Sequence, residues 1–274
     1  MKRRGPGARR PEQRDEIRVF GLRAAQAIAA ERPGDIVRMY LTEERLRDFR
    51  TVLERLARDR KAYHVVGSDE LDRVAGSLHH EGVCVLAKPR PEQSLAALTA
   101  ELAGQPRPVV VVVLDRVENP NNLGAILRVG AHFGVRAVVY TTPDGAPVRS
   151  SAILRTAEGA AERVDLVFAN ALWDALEALG EAGLSVVGTS GRAEETLWSA
   201  ALPARMALVL GSEGEGIDPG TLEQLPTVVQ IPGTGAVESL NVSCAASVIL
   251  AERWRTRSAP AGHHPPRSPR RRPR

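Results

Sequence analysis

The hydrophobic positions between residues 17 and 88 are spaced alternately as in helices and as in strands. This pattern predicts a small α/β sandwich, whose third helix begins with Ser68 as its cap and buries Leu71 and Val74. The predicted helices are residues 19–31, 43–59 and 68–75, and the predicted strands are residues 35–42, 62–67 and 82–88. Residues 89–108 begin and end with proline and are predicted to be a linker that contains a short helix.

From Val109 onward, the pattern changes to longer alternating strands and helices. The first strand, VVVVVLD, is apolar almost throughout, which is typical of a parallel strand covered on both faces. The alternation predicts an α/β domain in residues 109–255, with a doubly wound parallel sheet and helices on both faces. The predicted strands are residues 109–115, 136–141, 184–190, 206–213 and 227–233, and the predicted helices are residues 121–134, 151–160, 171–183 and 239–254.

The composition is that of an ordinary globular protein. Of the 274 residues, 43% are hydrophobic and 26% are charged, and no apolar run reaches the roughly 20 residues that span a bilayer. No hydrophobic stretch follows the basic N-terminus, so we predict no secretory signal and expect a soluble cytoplasmic protein. Cys84 and Cys244 lie in apolar segments without partners at metal-ligand spacing, which predicts buried, reduced thiols and no metal site.

The net charge of +4 is distributed unevenly along the chain. Residues 1–16 carry six Lys or Arg and three acids, and residues 253–274 carry eight Arg and no acid, so the rest of the chain is net negative. Basic ends on an acidic body are typical of arms that bind a polyanion such as RNA, although they can also serve solubility alone. Residues 1–16 and 256–274 have too few aliphatic residues to fold, so we expect both ends to be disordered.

Three predicted loops follow strands of the second region, and ligands of open α/β sheets bind at the carboxyl ends of strands. In the first loop, Pro120 fixes the approach to a helix that Asn122 is expected to cap. Arg128 follows between Leu127 and Val129, where a buried or half-buried Arg needs an anionic partner. The alternative for this residue is an ordinary salt-bridged Arg on a helix.

The other two loops are rich in small residues. In LVLGSEGEGI, the glycines permit a tight turn or a close approach to a ligand, while Glu213 and Glu215 disfavour a bound phosphate. In IPGTGAVESLNVSCA, three short polar side chains stand at a predicted helix entrance, where they cap the helix or hold a ligand. These three residues are Ser239, Asn241 and Ser243. Taken alone, each of the three loops is weak evidence for a ligand-binding site.

In this order and spacing, NPNNLGAILR, LVLGSEGEGI and IPGTGAVESLNVSCA resemble the three motifs of the SpoU (TrmH) family of RNA ribose 2′-O-methyltransferases. Residues 17–88 resemble the substrate-binding domain often attached to that family, an α/β domain like ribosomal protein L30e, with VFGLRAAQAI early and HHEGVCVLAK at its close. RKAYHVV and HHEGVC in particular resemble the YfiF-like branch. The resemblance covers residues 17–253 and excludes both basic ends.

The resemblance implies a fold and a cofactor that the hydrophobic pattern does not predict. The parallel sheet would contain a SPOUT-type trefoil knot that holds S-adenosylmethionine, and the protein would act as a homodimer with its sites near the interface. The implied cofactor contacts, mostly through backbone groups, are Thr189, Leu210, Gly211, Ile231, Ser239 and Leu240. The implied residues around the reacting ribose are Asn122, Arg128, Glu213, Ser239 and Asn241.

These implied roles predict S-adenosylmethionine-dependent 2′-O-methylation of a ribose in rRNA or tRNA. Because the motifs contain no His and an Arg stays charged, Arg128 is expected to anchor an RNA phosphate and stabilise the developing alkoxide. Asn122 and Glu213 would hold Arg128 and the ribose in place. Two alternatives stay open: a non-catalytic RNA-binding or ribosome-assembly protein that retains the fold, and an α/β enzyme that acts on a small nucleotide.

Overall fold

The computed structural model describes residues 16–91, 93–142 and 151–258. These residues form two compact units, of which the first contains the described residues up to 91 and residues 151–165, and the second contains residues 93–142 and 166–258. The predicted disordered ends lie outside the described residues, except for Glu16 and for residues 256–258. None of the helices in the described ranges is both long and apolar enough to cross a membrane.

The secondary structure comprises the following elements in the described ranges. The strands are β1 (Ile17–Phe20), β2 (Ile36–Leu41), β3 (Ala62–Val65), β4 (Val83–Ala87), β5 (Val109–Leu114), β6 (Ala137–Tyr140), β7 (Asp165–Phe168), β8 (Ser185–Thr189), β9 (Glu195–Thr196), β10 (Arg205–Leu210) and β11 (Val228–Gln230). The α-helices are α1 (Leu22–Glu31), α2 (Arg50–Arg58), α3 (Ser68–Ala75), α4 (Leu95–Ala103), α5 (Pro120–Phe133), α6 (Ser151–Thr156), α7 (Leu172–Glu181), α8 (Pro219–Gln224) and α9 (Val242–Ser258).

The first unit is built on a four-stranded sheet with the order β1-β4-β2-β3. On one face, α1 and α2 cover an apolar core that includes Ile28, Met39, Leu56 and Val85. On the other face, the short helix α3 covers only the row that contains Phe20 and Cys84. The predicted α/β sandwich is therefore present, with one sheet face fully covered and the other covered in part.

Three predicted helix starts in this unit are wrong. Val19 and Phe20 belong to β1, because they pair with β4, and Gly21, with a φ of 95°, separates strand from helix. Residues 43–45 form a 3-10 turn, so the second helix begins only at Arg50. Gly67 is the N-cap of α3, and Ser68 is the first helical residue rather than the cap.

Residues 149–165 cluster with the first unit, although the sequence pattern places them in the second domain. In this segment, Leu154 of α6 packs against the core under α1 and α2. Glu162 forms two hydrogen bonds with Arg32, at 2.7 Å to Nε and 3.1 Å to Nη2. Burial alone would lower the pKa of Arg32, but Glu162 and Asp35 raise it, so this guanidinium stays charged. The segment thus completes the fold of a unit that begins more than a hundred residues earlier.

The second unit is built on a seven-stranded sheet with the order β7-β6-β5-β10-β8-β11-β9. The neighbours from β6 to β9 in this order pair in parallel, as the alternating pattern predicts. Helix α4, in the predicted linker, belongs to this unit, because its Leu98 and Leu102 lie in the same core as β5 and β10. The pattern missed β7, β9 and α8, which are all short, and α9 begins at Val242 rather than at Ser239 and extends to Ser258.

Arg205, at the start of β10, binds carbonyl oxygens at the C-terminal ends of two helices. Its Nη2 donates to the carbonyl oxygens of Leu102 and Ala182, each at 2.8 Å, and its Nε donates to that of Gly183 at 3.1 Å. A cation at the carboxyl end of a helix satisfies carbonyls that have no partner within the helix. Arg205 therefore links the C-terminal ends of α4 and α7 to the start of β10, the central strand of the sheet.

We expect Arg205→Met to lower the free energy of unfolding of the second unit by about 2 to 3 kcal/mol, because partly buried carbonyls lose charged donors. Urea unfolding should be followed by tryptophan fluorescence, since Trp173, Trp198 and Trp254 are the only tryptophans and all lie in this unit. Arg107→Met, at an exposed position, is the matched control. Equal stability of the two variants would contradict this role of Arg205.

Candidate active site

The three motif loops leave the same edge of the second unit's sheet. They follow β5, β10 and β11, which together with β8 are joined in parallel, so their carboxyl ends point the same way. This edge therefore gathers segments that are far apart in the sequence.

Asn241 connects all three loops through its side chain. Its Nδ2 donates to Oδ1 of Asn122 at 3.1 Å and also to Oε1 of Glu213. Its Oδ1 accepts from the backbone N–H of Ser243 at 2.9 Å and from the Ser243 hydroxyl at 2.6 Å. The side-chain amide of Asn241 thus fixes the relative positions of α5, the glycine-rich loop and the start of α9.

Two predictions about helix capping at this edge need correction. Asn119, not Asn122, caps α5, because its side chain accepts from the N–H of Asn121 and Pro120 occupies the first helical position. Asn122 is instead buried inside the helix and directs its amide oxygen to Asn241. At α9, the cap is Asn241, while Ser239 is exposed and lies before the cap.

The glycine-rich loop closes on its own backbone. A side chain at Gly211 would place its Cβ 2.1 Å from the carbonyl carbon of Gly216, and Ser212 and Gly216 form an isolated β-bridge. Gly214 and Gly216 have φ angles of 106° and 70°, which residues with side chains rarely adopt. Of the two explanations for these glycines, a tight turn accounts for Gly211 directly. The turn holds Glu213 at its tip beside Asn241.

A second polar cluster, which the sequence did not predict, contacts this loop at Glu215. Arg116 donates through Nη1 to Glu215 at 2.7 Å and through Nε to the buried Asp115 at 3.3 Å. Thr141, at the end of β6, donates its hydroxyl to Asp115 at 3.4 Å and accepts from the N–H of Arg116 at 3.2 Å. Arg116 has a φ of 55° and follows β5 by two residues, a conformation that nothing in the local sequence indicates.

The charges in this second cluster compensate one another. Burial alone would lower the pKa of Arg116, but Asp115 and Glu215 raise it, so the guanidinium stays protonated. Glu215 consequently presents a paired carboxylate rather than a free negative charge. The expected repulsion of a phosphate by the loop is therefore weaker than two unpaired acids would produce.

The residues present fit S-adenosylmethionine recognition through main-chain groups. Among the described residues, the backbone groups of residues 231–240 accept and donate no hydrogen bond to other backbone outside helices and strands. The Ala236 N–H donates to the Thr234 hydroxyl at 3.4 Å. Ile231 is half-buried and Leu240 is 47% exposed, so apolar surface adjoins this loop. Leu210 is the last residue of β10, and Gly211 directly follows it. Thr189 ends β8, and its hydroxyl donates to the Val209 carbonyl at 2.9 Å, so any contact with a ligand would use its remaining groups.

Arg128 is exposed, which corrects the prediction that it is buried or half-buried. On α5, the buried positions include Ile126, Leu127 and Gly130, and residue 128 lies on the outer face of the helix. It is six residues beyond Asn122, or about 9 Å along the helix axis. An exposed guanidinium is accessible to a macromolecular ligand, and so are Glu213 and Asn241, whereas Asn122 is buried.

The two cysteines differ in their surroundings. Cys84 is buried as predicted, and burial raises the pKa of its thiol to about 11. Cys244, in the first turn of α9, is exposed, which contradicts the expectation of a buried thiol. Residue 244 is on the solvent side of the helix, while Val242 and Ala246 are buried. In the described parts of the chain, no group of three or more His, Cys, Asp or Glu is arranged to hold a metal ion.

Iodoacetamide at pH 8 is expected to alkylate Cys244 in the folded protein and to leave Cys84 unmodified. The thiolate is the reactive form, and a thiol with a pKa near 11 is almost entirely protonated at this pH. Peptide mass spectrometry after a short exposure measures both sites, and the protein unfolded in urea is the control in which both should react. Rapid alkylation of Cys84 in the folded state would contradict the burial that the structure shows.

Comparisons with known proteins agree with this geometry. The model of the SpoU rRNA methylase family matches residues 109–251, and the model of the RNA 2′-O ribose methyltransferase substrate-binding domain matches residues 18–93. The first match contains all three motif loops. The second match coincides closely with the four-stranded sheet of the first unit.

Individual proteins resemble the chain over most of its length. An uncharacterized tRNA/rRNA methyltransferase, YfiF of Escherichia coli O157:H7, is 39% identical over 93% of this chain and 72% of its own. The 23S rRNA (guanosine-2′-O-)-methyltransferase RlmB of Vibrio cholerae is 34% identical over 88% of this chain and 97% of its own. The crystal structure of the SpoU methyltransferase AviRb from Streptomyces viridochromogenes with AdoMet has the same fold, with a TM-score of 0.71, 21% identity and coverage of 89% and 91%.

Proposed function

Because the chain belongs to the SpoU rRNA methylase family, we propose that it transfers a methyl group from S-adenosylmethionine to a ribose 2′-hydroxyl of ribosomal or transfer RNA. The chain is thus an RNA methyltransferase with a methylase domain and a substrate-binding domain. The observation that carries the proposal is the hydrogen-bonded cluster of Asn122, Glu213 and Asn241, which unites one residue from each family motif.

The cluster suits a reaction in which the protein mainly positions its substrates. When bound, S-adenosylmethionine supplies an activated methyl group, so the remaining task is to align the ribose hydroxyl with it. In the proposal, Asn122 and Glu213 orient the ribose, and Asn241 and Ser239 order the loop before α9. Arg128 binds the adjoining phosphate and stabilises negative charge that develops on the 2′-oxygen.

The proposed cofactor site lies where β8, β10 and β11 end. Thr189, Leu210, Gly211, Ile231, Ser239 and Leu240 would line it, largely through backbone groups. The main-chain groups of residues 231–240 that have no backbone partner among the described residues support this assignment. A trefoil knot in the sheet, a homodimer with its sites near the interface and a cytoplasmic location belong to the same proposal.

Calorimetric titration and methyl transfer test the proposal together. We expect the purified protein to bind S-adenosylmethionine and to transfer its radiolabelled methyl group to total RNA, with ribose mapping locating the modified nucleotide. Gly211→Ala should abolish binding, since its Cβ would overlap the loop backbone, whereas Gly180→Ala, on α7 with open space around it, should not. Cofactor binding without transfer to any RNA, or no binding at millimolar concentration, would contradict the proposal and favour the non-catalytic RNA-binding alternative.

A further inference from the structure

One face of the four-stranded sheet in the first unit is left open over an entire row of residues. Strand pairing aligns Arg18, Leu86, Arg38 and Ala62 side by side across β1, β4, β2 and β3. Arg18 and Ala62 are exposed, and Leu86 and Arg38 are half-buried. Helix α3 covers the neighbouring row instead. The open row therefore presents two guanidinium groups on a flat surface.

The two arginines of this row have unused donors. Arg38 donates through Nη1 to the Tyr40 hydroxyl at 3.3 Å, while its Nε is buried and has no hydrogen-bond partner among the residues described. Arg18 lies two strands away, a backbone separation of about 10 Å. The pKa of Arg38 is raised by Tyr40 and, among acids, by Glu16. On α3, Asp72 is hydrogen-bonded to His80 at 3.0 Å. Arg18 and Arg38 thus outnumber Glu16, the acid that acts on Arg38, so the row itself carries positive charge.

An aromatic pair adjoins the two arginines. The rings of Tyr40 and His64 are stacked, with centroids 5.0 Å apart and an angle of 21° between their planes. Tyr40 is half-buried, whereas His64 is exposed on β3, the edge strand of the sheet. The planar ring of a ligand can therefore stack on the exposed face of the His64 imidazole, opposite Tyr40.

We propose that this face of the sheet, with Arg18 and Arg38 of the open row and the exposed ring of His64 beside it, binds an unpaired segment of the RNA substrate. The positive charge complements phosphate, and the exposed ring complements an unstacked base, a combination typical of single-strand recognition. A duplex keeps its bases stacked inside the helix, so it would use the arginines but not His64. The proposal rests on the proposed function for the identity of the RNA, but binding itself is measured without methyl transfer.

Fluorescence anisotropy of the full chain with a short fluorescein-labelled single-stranded oligoribonucleotide tests this site. We expect His64→Ala to weaken binding about tenfold, as loss of one stacked base predicts, and His64→Phe to restore it. Arg38→Ala should reduce the slope of log affinity against log salt by about 0.7. Arg58→Ala, on α2 over the opposite face, is the matched control and should change affinity far less.

The outcomes separate this proposal from the proposed function. Wild-type affinity in His64→Ala, equal weakening in Arg58→Ala, or equal sensitivity of a duplex of the same sequence would overturn the single-strand site. If His64 determines oligonucleotide binding but no methyl transfer occurs, the binding face stands and the proposed function fails. Far-UV circular dichroism with thermal unfolding checks that each variant retains a folded first unit, in which all the substituted residues lie.

Discussion

Replacing Asn241 with alanine is expected to lower the rate of methyl transfer by about a hundredfold, the cost of a small displacement of reacting groups. The variant loses the amide that joins Asn122 to Glu213 and also the cap of α9. Single-turnover transfer from radiolabelled S-adenosylmethionine to RNA measures the rate. Affinity for the cofactor should fall as well, because Leu240 directly precedes the substituted residue.

Asn241→Asp distinguishes the two roles of this side chain. Aspartate keeps the oxygen that caps α9, and a carboxylate is also favourable at a helix N-terminus, but it has no N–H for Asn122 and Glu213. We expect Asn241→Asp to retain the stability of the second unit and to lose activity almost as severely as Asn241→Ala. Full activity in the aspartate variant would show that capping alone explains the residue and would remove the cluster from the mechanism.

Arg128→Ala is expected to reduce methyl transfer by a factor of about 100 to 1,000 while leaving cofactor affinity within a few fold. The exposed guanidinium is assigned to the RNA phosphate and to charge on the 2′-oxygen, not to the cofactor. The rate is measured at saturating RNA, and calorimetry reports S-adenosylmethionine affinity. Arg128→Lys should recover only part of the rate, because an ammonium group lacks the planar fork of donors.

Arg107→Ala provides the matched control for this second prediction, since it removes an exposed positive charge from the same unit. Its rate should be close to that of the native protein. An Arg128→Ala variant with undiminished transfer would eliminate the proposed role of Arg128. An equal loss in Arg107→Ala would assign the effect to general electrostatic attraction of RNA instead.

The sequence predicted the central elements of the fold well. The run VVVVVLD predicts β5 because a strand buried on both faces needs apolar side chains at every position, and five of its residues are indeed buried in the sheet. The motifs also identified the family, which the comparisons confirmed. The short strands β7 and β9 were missed, because four and two residues are too few to establish a period.

The site could be predicted only in part, for a physical reason. The motifs named Asn122, Glu213 and Asn241 together, but the bond between Asn122 and Asn241 spans 119 positions and depends on how loops converge. The prediction that Arg128 is buried or half-buried was wrong, because successive helical residues point about 100° apart, so Leu127 is buried while residue 128 faces outward and Val129 is half-buried. The hydrogen bonds of Arg116 could not be predicted from the sequence, because its positive φ and its partners arise from tertiary packing.

Residues 149–165 have a consequence for how the chain reaches its folded state. The first unit cannot close during synthesis until the segment that carries Leu154 and Glu162 has left the ribosome, and β5, α5 and β6 leave it before that segment does. A fragment truncated at residue 92 would leave the guanidinium of Arg32 without the carboxylate of Glu162 and would leave uncovered the apolar surface against which Leu154 packs. The substrate-binding unit is therefore a discontinuous folding unit, and exchanging it between relatives requires three junctions beyond its start rather than one.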